Sequence, residues 1–274
     1  YLESRATYGY ARNVLRVIDE FKDLQYTTLV TGGHLDKALG ESINLIKSDN
    51  FKISKEVPFR KTIKEGKFSW ASGIGNAIDG YVKALKEINP DIVLLFGDRI
   101  ETLSMCISAA YSNIAIAHVQ AGDKSGHIDD SARYAIAKLA HIHFASCEDS
   151  AKRLLNLGEQ KLRVHNTGAP QLDDLMQIKD IDALKLGEIN FSLQQRYILL
   201  VQHPILVESA STYEQMKNTL EACIYFDMPI VWIYPNNDLG FESILEILNQ
   251  FKKSPNIIPI SNIDRDQYLI LLKK

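Results

Sequence analysis

The run Ile92-Val-Leu-Leu-Phe96, bounded by Asp91 and Gly97, constrains the fold more than any other stretch. A short unbroken apolar run rich in branched side chains has no polar face, which is the pattern of a parallel strand covered by helices on both sides. The run stops at Gly97-Asp98-Arg99, with Glu101 just beyond. In open α/β sheets ligands bind outside the carboxyl ends of the strands, so Asp98, Arg99 and Glu101 are expected to face a ligand. A second run, Ile114 to Val119, ends in the same way, with His118, Gln120, Gly122 and Asp123 at its edge. Two strand ends thus bring acid, base and cation together.

The loop Gly122 to Gly126 leads into Asp129-Asp130, which read as the N-cap and first-turn residues of a helix with apolar positions Ala132, Ile136 and Leu139. Arg133 follows at helical spacing from both acids, where it can hold them ionised or present its fork to a phosphate. An Asp pair before a helix usually does no more than cap it and offset its dipole. Polar clusters on two strand ends and a helix start, within one short stretch, exceed what capping requires.

The flanking chain alternates in the same manner. A helix is expected from about Tyr8 to Asp23, with Val14, Leu15, Ile18 and Phe21 on one face. Arg5 then stands at a strand-to-helix turn, a place suited to a diphosphate. Tyr1-Leu2-Glu3-Ser4 is too short for a central strand, so a few residues are expected to precede it. Strands follow at Thr28 to Thr31 and Phe51 to Val57, with a Gly32-Gly33-His34 turn opening a helix that bears Leu35, Leu39 and Ile43. Lys61 to Ser72 reads as a polar loop. Gly73-Ile-Gly75 lacks the third glycine of a dinucleotide fingerprint and follows no clear strand. A helix through Ile78, Val82, Leu85 and Ile88 stops at Asn89-Pro90. Ile142 to Ala145 is another strand, flanked and interleaved by His141 and His143, which read as structural. Thr167-Gly-Ala-Pro170 breaks the pattern, so a first domain is expected over 1–168 and a second over 169–274. That second part repeats strand and helix: Tyr197 to Val201, Tyr213 to Phe226, Ile230 to Tyr234 and Phe241 to Phe251, with polar His203 and Asn236-Asn237-Asp238 after its strands.

Charge narrows the function. A net charge of -3 and a pI near 6.2 argue against a nucleic-acid binder, so any anion must sit in a local pocket. No apolar stretch reaches the roughly 18 residues of a membrane helix, and the expected compartment is the cytoplasm. Cys106, Cys147 and Cys223 are far apart and read as buried free thiols, with no spacing for a metal site.

Gly97-Asp-Arg-Ile-Glu101 and the segment His118 to Phe144 resemble the hydrolysing UDP-N-acetylglucosamine 2-epimerases of sialic and legionaminic acid biosynthesis. The resemblance extends through Arg5-Ala-Thr-Tyr-Gly9, Thr31-Gly-Gly-His-Leu35, Gly158-Glu159, Val164 to Pro170, His203-Pro204 and Ile233 to Gly240, and so covers nearly the whole chain. It implies two Rossmann-like α/β domains facing a cleft, the arrangement called GT-B, with the second domain incomplete at the C-terminus because a Gly/Ser-rich phosphate loop should follow. It implies a UDP-sugar substrate, no cofactor, no nucleic acid or membrane partner, and a homo-oligomer. The implied reaction eliminates UDP, adds water to the resulting glycal and releases an N-acetylmannosamine-type sugar. On this reading the catalytic candidates are Asp98, Gln120, Asp123, Asp129, Asp130 and His203, and the substrate-binding candidates are Arg5, Arg99, Glu101, His118, Arg133, Asn236, Asn237 and Asp238. Gln120 stands where the family usually has Glu, and Tyr134 where it has His. An amide cannot accept the C2 proton, which points to a related sugar nucleotide or a transfer of that role to Asp123 or Asp130. A non-hydrolysing epimerase, a glycosyltransferase of the same fold, or a binding protein without turnover are the alternatives.

Overall fold

The apolar runs become parallel strands, as their lack of a polar face requires. A computed structural model describes the chain except residues 36–41, 60–61, 63–67, 127, 236–239, 252–253 and 262, and only the backbone of 177, 206, 207 and 209. It divides into a first unit that ends at Asp173 and a second from Asp174 to Lys274.

In the first unit, strands β1 (Thr28–Thr31) and β2 (Ile53–Val57) pair in parallel, and β3 (Ile92–Phe96), β4 (Ala115–Ala121), β5 (Ile142–Ala145) and β6 (Val164–Asn166) form a four-stranded parallel sheet in that order. Tyr1 to Glu3 joins the two. Leu2 bridges Val30 on one side, and the Tyr1 nitrogen donates to the Leu94 carbonyl on the other. These three residues therefore hold the central place that their brevity seemed to deny them. The order is that of a Rossmann sheet, and its direction of winding reverses between Glu3 and β3.

Helices cover both faces. On one, α3 (Ser69–Ile88), α4 (Ile100–Tyr111) and α5 (Ile128–Leu139) pack Tyr81, Met105 and Ile136 onto Val93, Leu95 and Ile116. On the other, α1 (Arg5–Glu20) and α2 (Ile43–Ser48) pack Tyr8, Ala11, Leu15 and Ile46 onto Leu2, Val30, Phe96 and Val119. The first helix begins at Arg5 rather than Tyr8, because Ser4 and Thr7 cap each other's backbone reciprocally. Helix α3 takes in Ser69 to Ser72, which were expected in a loop, and Gly73 packs there against the Phe59 ring. Helix α6 (Glu148–Asn156) closes the far edge; Cys147 sits at its N-cap and is exposed, unlike the buried Cys106.

The second unit starts with α7 (Asp173–Gln177) at the boundary and an antiparallel hairpin of β7 (Ala183–Leu186) and β8 (Ile189–Ser192). Three parallel strands follow, β9 (Ile198–Val201), β10 (Ile230–Ile233) and β11 (Ile257–Ile260), with β10 in the middle. Alternation decides their two faces. Leu200, Ile230 and Trp232 pack against α8 (Thr212–Tyr225) and α9 (Phe241–Phe251), whereas Val231 and Ile258 pack against the hairpin and α10 (Arg265–Lys273). This is a second Rossmann-like layer structure. No helix among the described residues is long and apolar enough to cross a membrane.

Candidate active site

Ligands of doubly wound sheets bind where the strand order reverses. Here that place lies between Glu3 and Gly97, and a pocket opens there, lined by Glu3, Ser4, Thr7 and Tyr10 from the first crossover and by Asp98, Arg99, Gln120, Asp123 and Arg133 from the strand ends. The N-terminus of α1 therefore forms one wall. The positive end of the helix dipole favours an anion there, and Arg5 is the first residue of the helix.

Arg133 organises the opposite wall. Its guanidinium donates to Asp98, to Asp130 at 2.7 Å and to the Asp123 carbonyl at 2.7 Å. Only 7% of the side chain is exposed, so the fork is fixed by its acceptors rather than by solvent. Asp129 and Asp130 both lie in the first turn of α5, which already includes Ile128, so Asp129 is not the cap. Asp130 is tied into the loop: Ser125 donates to it from backbone and hydroxyl, at 2.7 and 2.9 Å, and the Gly126 amide at 2.7 Å. Both of its oxygens are thus occupied. Asp123 differs. One of its oxygens accepts from the hydroxyls of Ser146 and Ser150, and the residue borders the pocket.

Gln120 reaches the pocket through a backbone irregularity. The β4–β5 register slips between Val119 and Ala121, and Gln120 adopts φ +64°, an uncommon left-handed conformation for a side chain of this kind. Its side-chain nitrogen donates to the Gln171 side-chain oxygen, Oε1, at 2.9 Å. His118 does not line the pocket. It is fully buried and donates from Nε2 to the Gly97 carbonyl at 2.7 Å, with burial holding its ring down to about 4 and hence neutral. It acts on the site through the Gly97 turn. Glu101 is likewise buried, with its Oε2 3.5 Å from Arg99 Nε.

His203 follows β9 in the second unit and is exposed. Asn236, Asn237 and Asp238 lie outside the described residues. His141 accepts a hydrogen bond from the Ile116 amide, and His143 is buried 3.3 Å from Glu159. Among the described residues no group of three or more His, Cys, Asp or Glu could hold a metal ion.

Sequence reasoning missed Glu3, Ser4, Thr7, Tyr10 and Gln171. The Ser4-x-x-Thr7 spacing is a capping signal that would have moved the start of α1 and placed the first four at the crevice. Nothing local marks Gln171.

Fold and pocket together define a doubly wound α/β protein with a helix N-terminus on one wall and a carboxylate-rich wall opposite, at its switch point. The model of the UDP-N-acetylglucosamine 2-epimerase family matches residues 16–274, and the chain belongs to that family. It is 33% identical to the hydrolysing UDP-N,N'-diacetylbacillosamine 2-epimerase of Legionella pneumophila, over 97% of this chain and 71% of the relative. It is 31% identical to the UDP-N-acetylglucosamine 2-epimerase of Neisseria meningitidis serogroup B, over 98% of this chain and 70% of the relative. Among solved structures, the Neisseria meningitidis UDP-GlcNAc 2-epimerase bound to UDP-GlcNAc superposes with a TM-score of 0.76 at 17% identity, covering 99% of this chain and 74% of that one. The Methanocaldococcus jannaschii enzyme with UDP-GlcNAc and UDP gives 0.74, also at 17% identity, covering 99% of this chain and 74% of that one.

Proposed function

We propose that the protein is a hydrolysing 2-epimerase acting on a UDP-2-acetamido sugar, either UDP-N-acetylglucosamine or a diacetamido relative. The observation that carries this reading is the Arg133 fork holding Asp98 and Asp130 beside a pocket whose other wall is a helix N-terminus. The diphosphate would lie toward α1 and Arg99, where positive potential collects, and the sugar toward Asp98, Gln120 and Asp123.

The C2 proton is barely acidic in the ground state, so cleavage at C1 must lead. The C1–O bond breaks, its electron pair leaves on the UDP oxygen, and carboxylates stabilise the positive charge that develops at C1. A base then removes the C2 proton, and those electrons form the C1–C2 double bond. Asp123 is better placed for that step than Asp130, whose oxygens are already occupied by Ser125, Gly126 and Arg133. Gln120 contributes hydrogen bonds to water or to a sugar hydroxyl. Addition of water across the glycal, with hydroxyl to C1 and a proton to the opposite face of C2, releases the epimerised free sugar. The free thiols accord with a reducing compartment, and a cytoplasmic homo-oligomer is the form we propose.

Incubation with UDP-N-acetylglucosamine in D₂O tests the reading. UDP and a free 2-epimerised sugar carrying deuterium at C2 are expected. Retained nucleotide sugar would mean the non-hydrolysing reaction. Nucleotide binding without any product from either sugar nucleotide would reduce the protein to a binder.

A further inference from the structure

The proposed mechanism leaves two buried acids unused. Glu3, the last residue of the central segment, borders the pocket and is 0% exposed, and Glu101, in the first turn of α4, is 2% exposed. Glu3 Oε1 accepts from the Ser4 hydroxyl at 3.3 Å, while its Oε2 has no hydrogen-bond partner among the described residues. Both residues lie against Gly32. A Cβ there would lie 2.6 Å from the Glu3 carbonyl oxygen and 3.4 Å from both Glu3 Cβ and Glu101 Oε1, so only glycine, at φ +56°, fits between them.

We propose that Glu3, buried at the edge of the pocket beside Glu101, carries a proton at neutral pH. An entering nucleoside diphosphate then meets a neutral carboxylic acid rather than a second carboxylate. The diphosphate part of this inference rests on the function proposed above; the proton does not.

Electrostatics leaves few alternatives. Around Glu3 stand Arg99 from the β3–α4 turn, Glu101 from the first turn of α4, the phenol of Tyr81 from α3, and Tyr1 from its own segment. Arg99 acts on Glu3, as does the Tyr1 ammonium, and Glu101 is in ion-pair reach of Arg99. A second ionised carboxylate would be a buried like charge. Burial first, and Glu101 second, raise the Glu3 carboxyl to about 8, against the pull of Arg99 and the Thr7 hydroxyl. A neutral acid also supplies a donor that a carboxylate lacks.

Difference infrared spectroscopy on the full chain between pH 7 and about pH 9.5 reads the proton directly. The carbonyl band of a protonated carboxyl should be present at pH 7, fade at the alkaline end, and be missing in Glu3→Gln. In Glu101→Gln it should fade at lower pH, because the like charge that favours protonation is gone. Absence of the band at pH 7, or its persistence in Glu3→Gln, overturns the proposal. Titration calorimetry with UDP then tests the ligand. A nucleoside diphosphate is ionised throughout this range, so its Kd should rise on the order of tenfold toward pH 9.5 in the wild type as negative charge appears beside it. That rise should be largely lost in Glu3→Gln. An equal rise in both proteins overturns the diphosphate part, whereas a band with no UDP binding at any pH removes the nucleotide-sugar reading and leaves the proton on Glu3 standing.

Discussion

Arg133 donates to the Asp98 carboxylate across 35 residues of chain, and so fastens the end of β3 to the second turn of α5. Because the same guanidinium also takes Asp130 and the Asp123 carbonyl, its geometry depends on a planar fork that a lysine cannot reproduce. Arg133→Lys is expected to lower kcat by at least about a hundredfold, the cost of misplacing reacting groups by an ångström or so. Steady-state kinetics with UDP-N-acetylglucosamine checks this, and a kcat within a factor of three of wild type would refute it.

Asp98 and Asp130 should separate when each is changed to Asn. Asn at 98 can still accept from Arg133, so Asp98→Asn should lose about a hundredfold in kcat with little change in stability. Asn at 130 must turn its amide N–H₂ toward the Ser125 or the Gly126 amide, which replaces an exposed charge-assisted hydrogen bond with two facing donors at about 1 kcal/mol. Urea denaturation should show that loss for Asp130→Asn alone.

Gly122→Ala should be among the most damaging single-methyl changes. Gly122 has φ +79°, and a Cβ there would lie 2.3 Å from the Ser150 carbonyl oxygen at the start of α6. Positive φ with a backbone clash is expected to cost at least about 2 kcal/mol. Since Ser150 also donates to Asp123, kcat should fall with stability. Thermal unfolding and kinetics together test this.

Acid should weaken the fold through its buried imidazoles. His118 and His34 are both held down to about 4 by burial, below their ordinary 6.5. A base with a depressed folded value contributes stability that is present above its unfolded value and lost as pH falls through the folded one, so the free energy of unfolding should drop between about pH 6.5 and pH 4. Glu3 has the opposite sign. Its folded value is raised to about 8, so its contribution is full below the unfolded value of 4.5 and disappears as pH rises toward 8. Denaturation of wild type and Glu3→Gln across this range should show Glu3→Gln gaining relative stability as pH rises; parallel curves would contradict that.

The sequence by itself determined the strands and the polar character of their ends. Ile92–Phe96 and Ala115–Ala121 could be read because hydrophobic period is a relation between neighbours along the chain, and Asp98, Gln120, Asp123 and Arg133 because each follows a strand or opens a helix within a few residues. Only the tertiary structure decided that Tyr1 to Glu3 sits between β1 and β3, since so short a segment carries no period and is held by hydrogen bonds to Leu29 and Leu94. It also decided that Asp130 ties down Ser125 and Gly126, that His118 turns away from the pocket to hold Gly97, and that Glu3 and Glu101 both lie against Gly32. Those partners lie on separate loops and elements. Their proximity is set by how helices pack on a sheet, and no spacing along the chain encodes it.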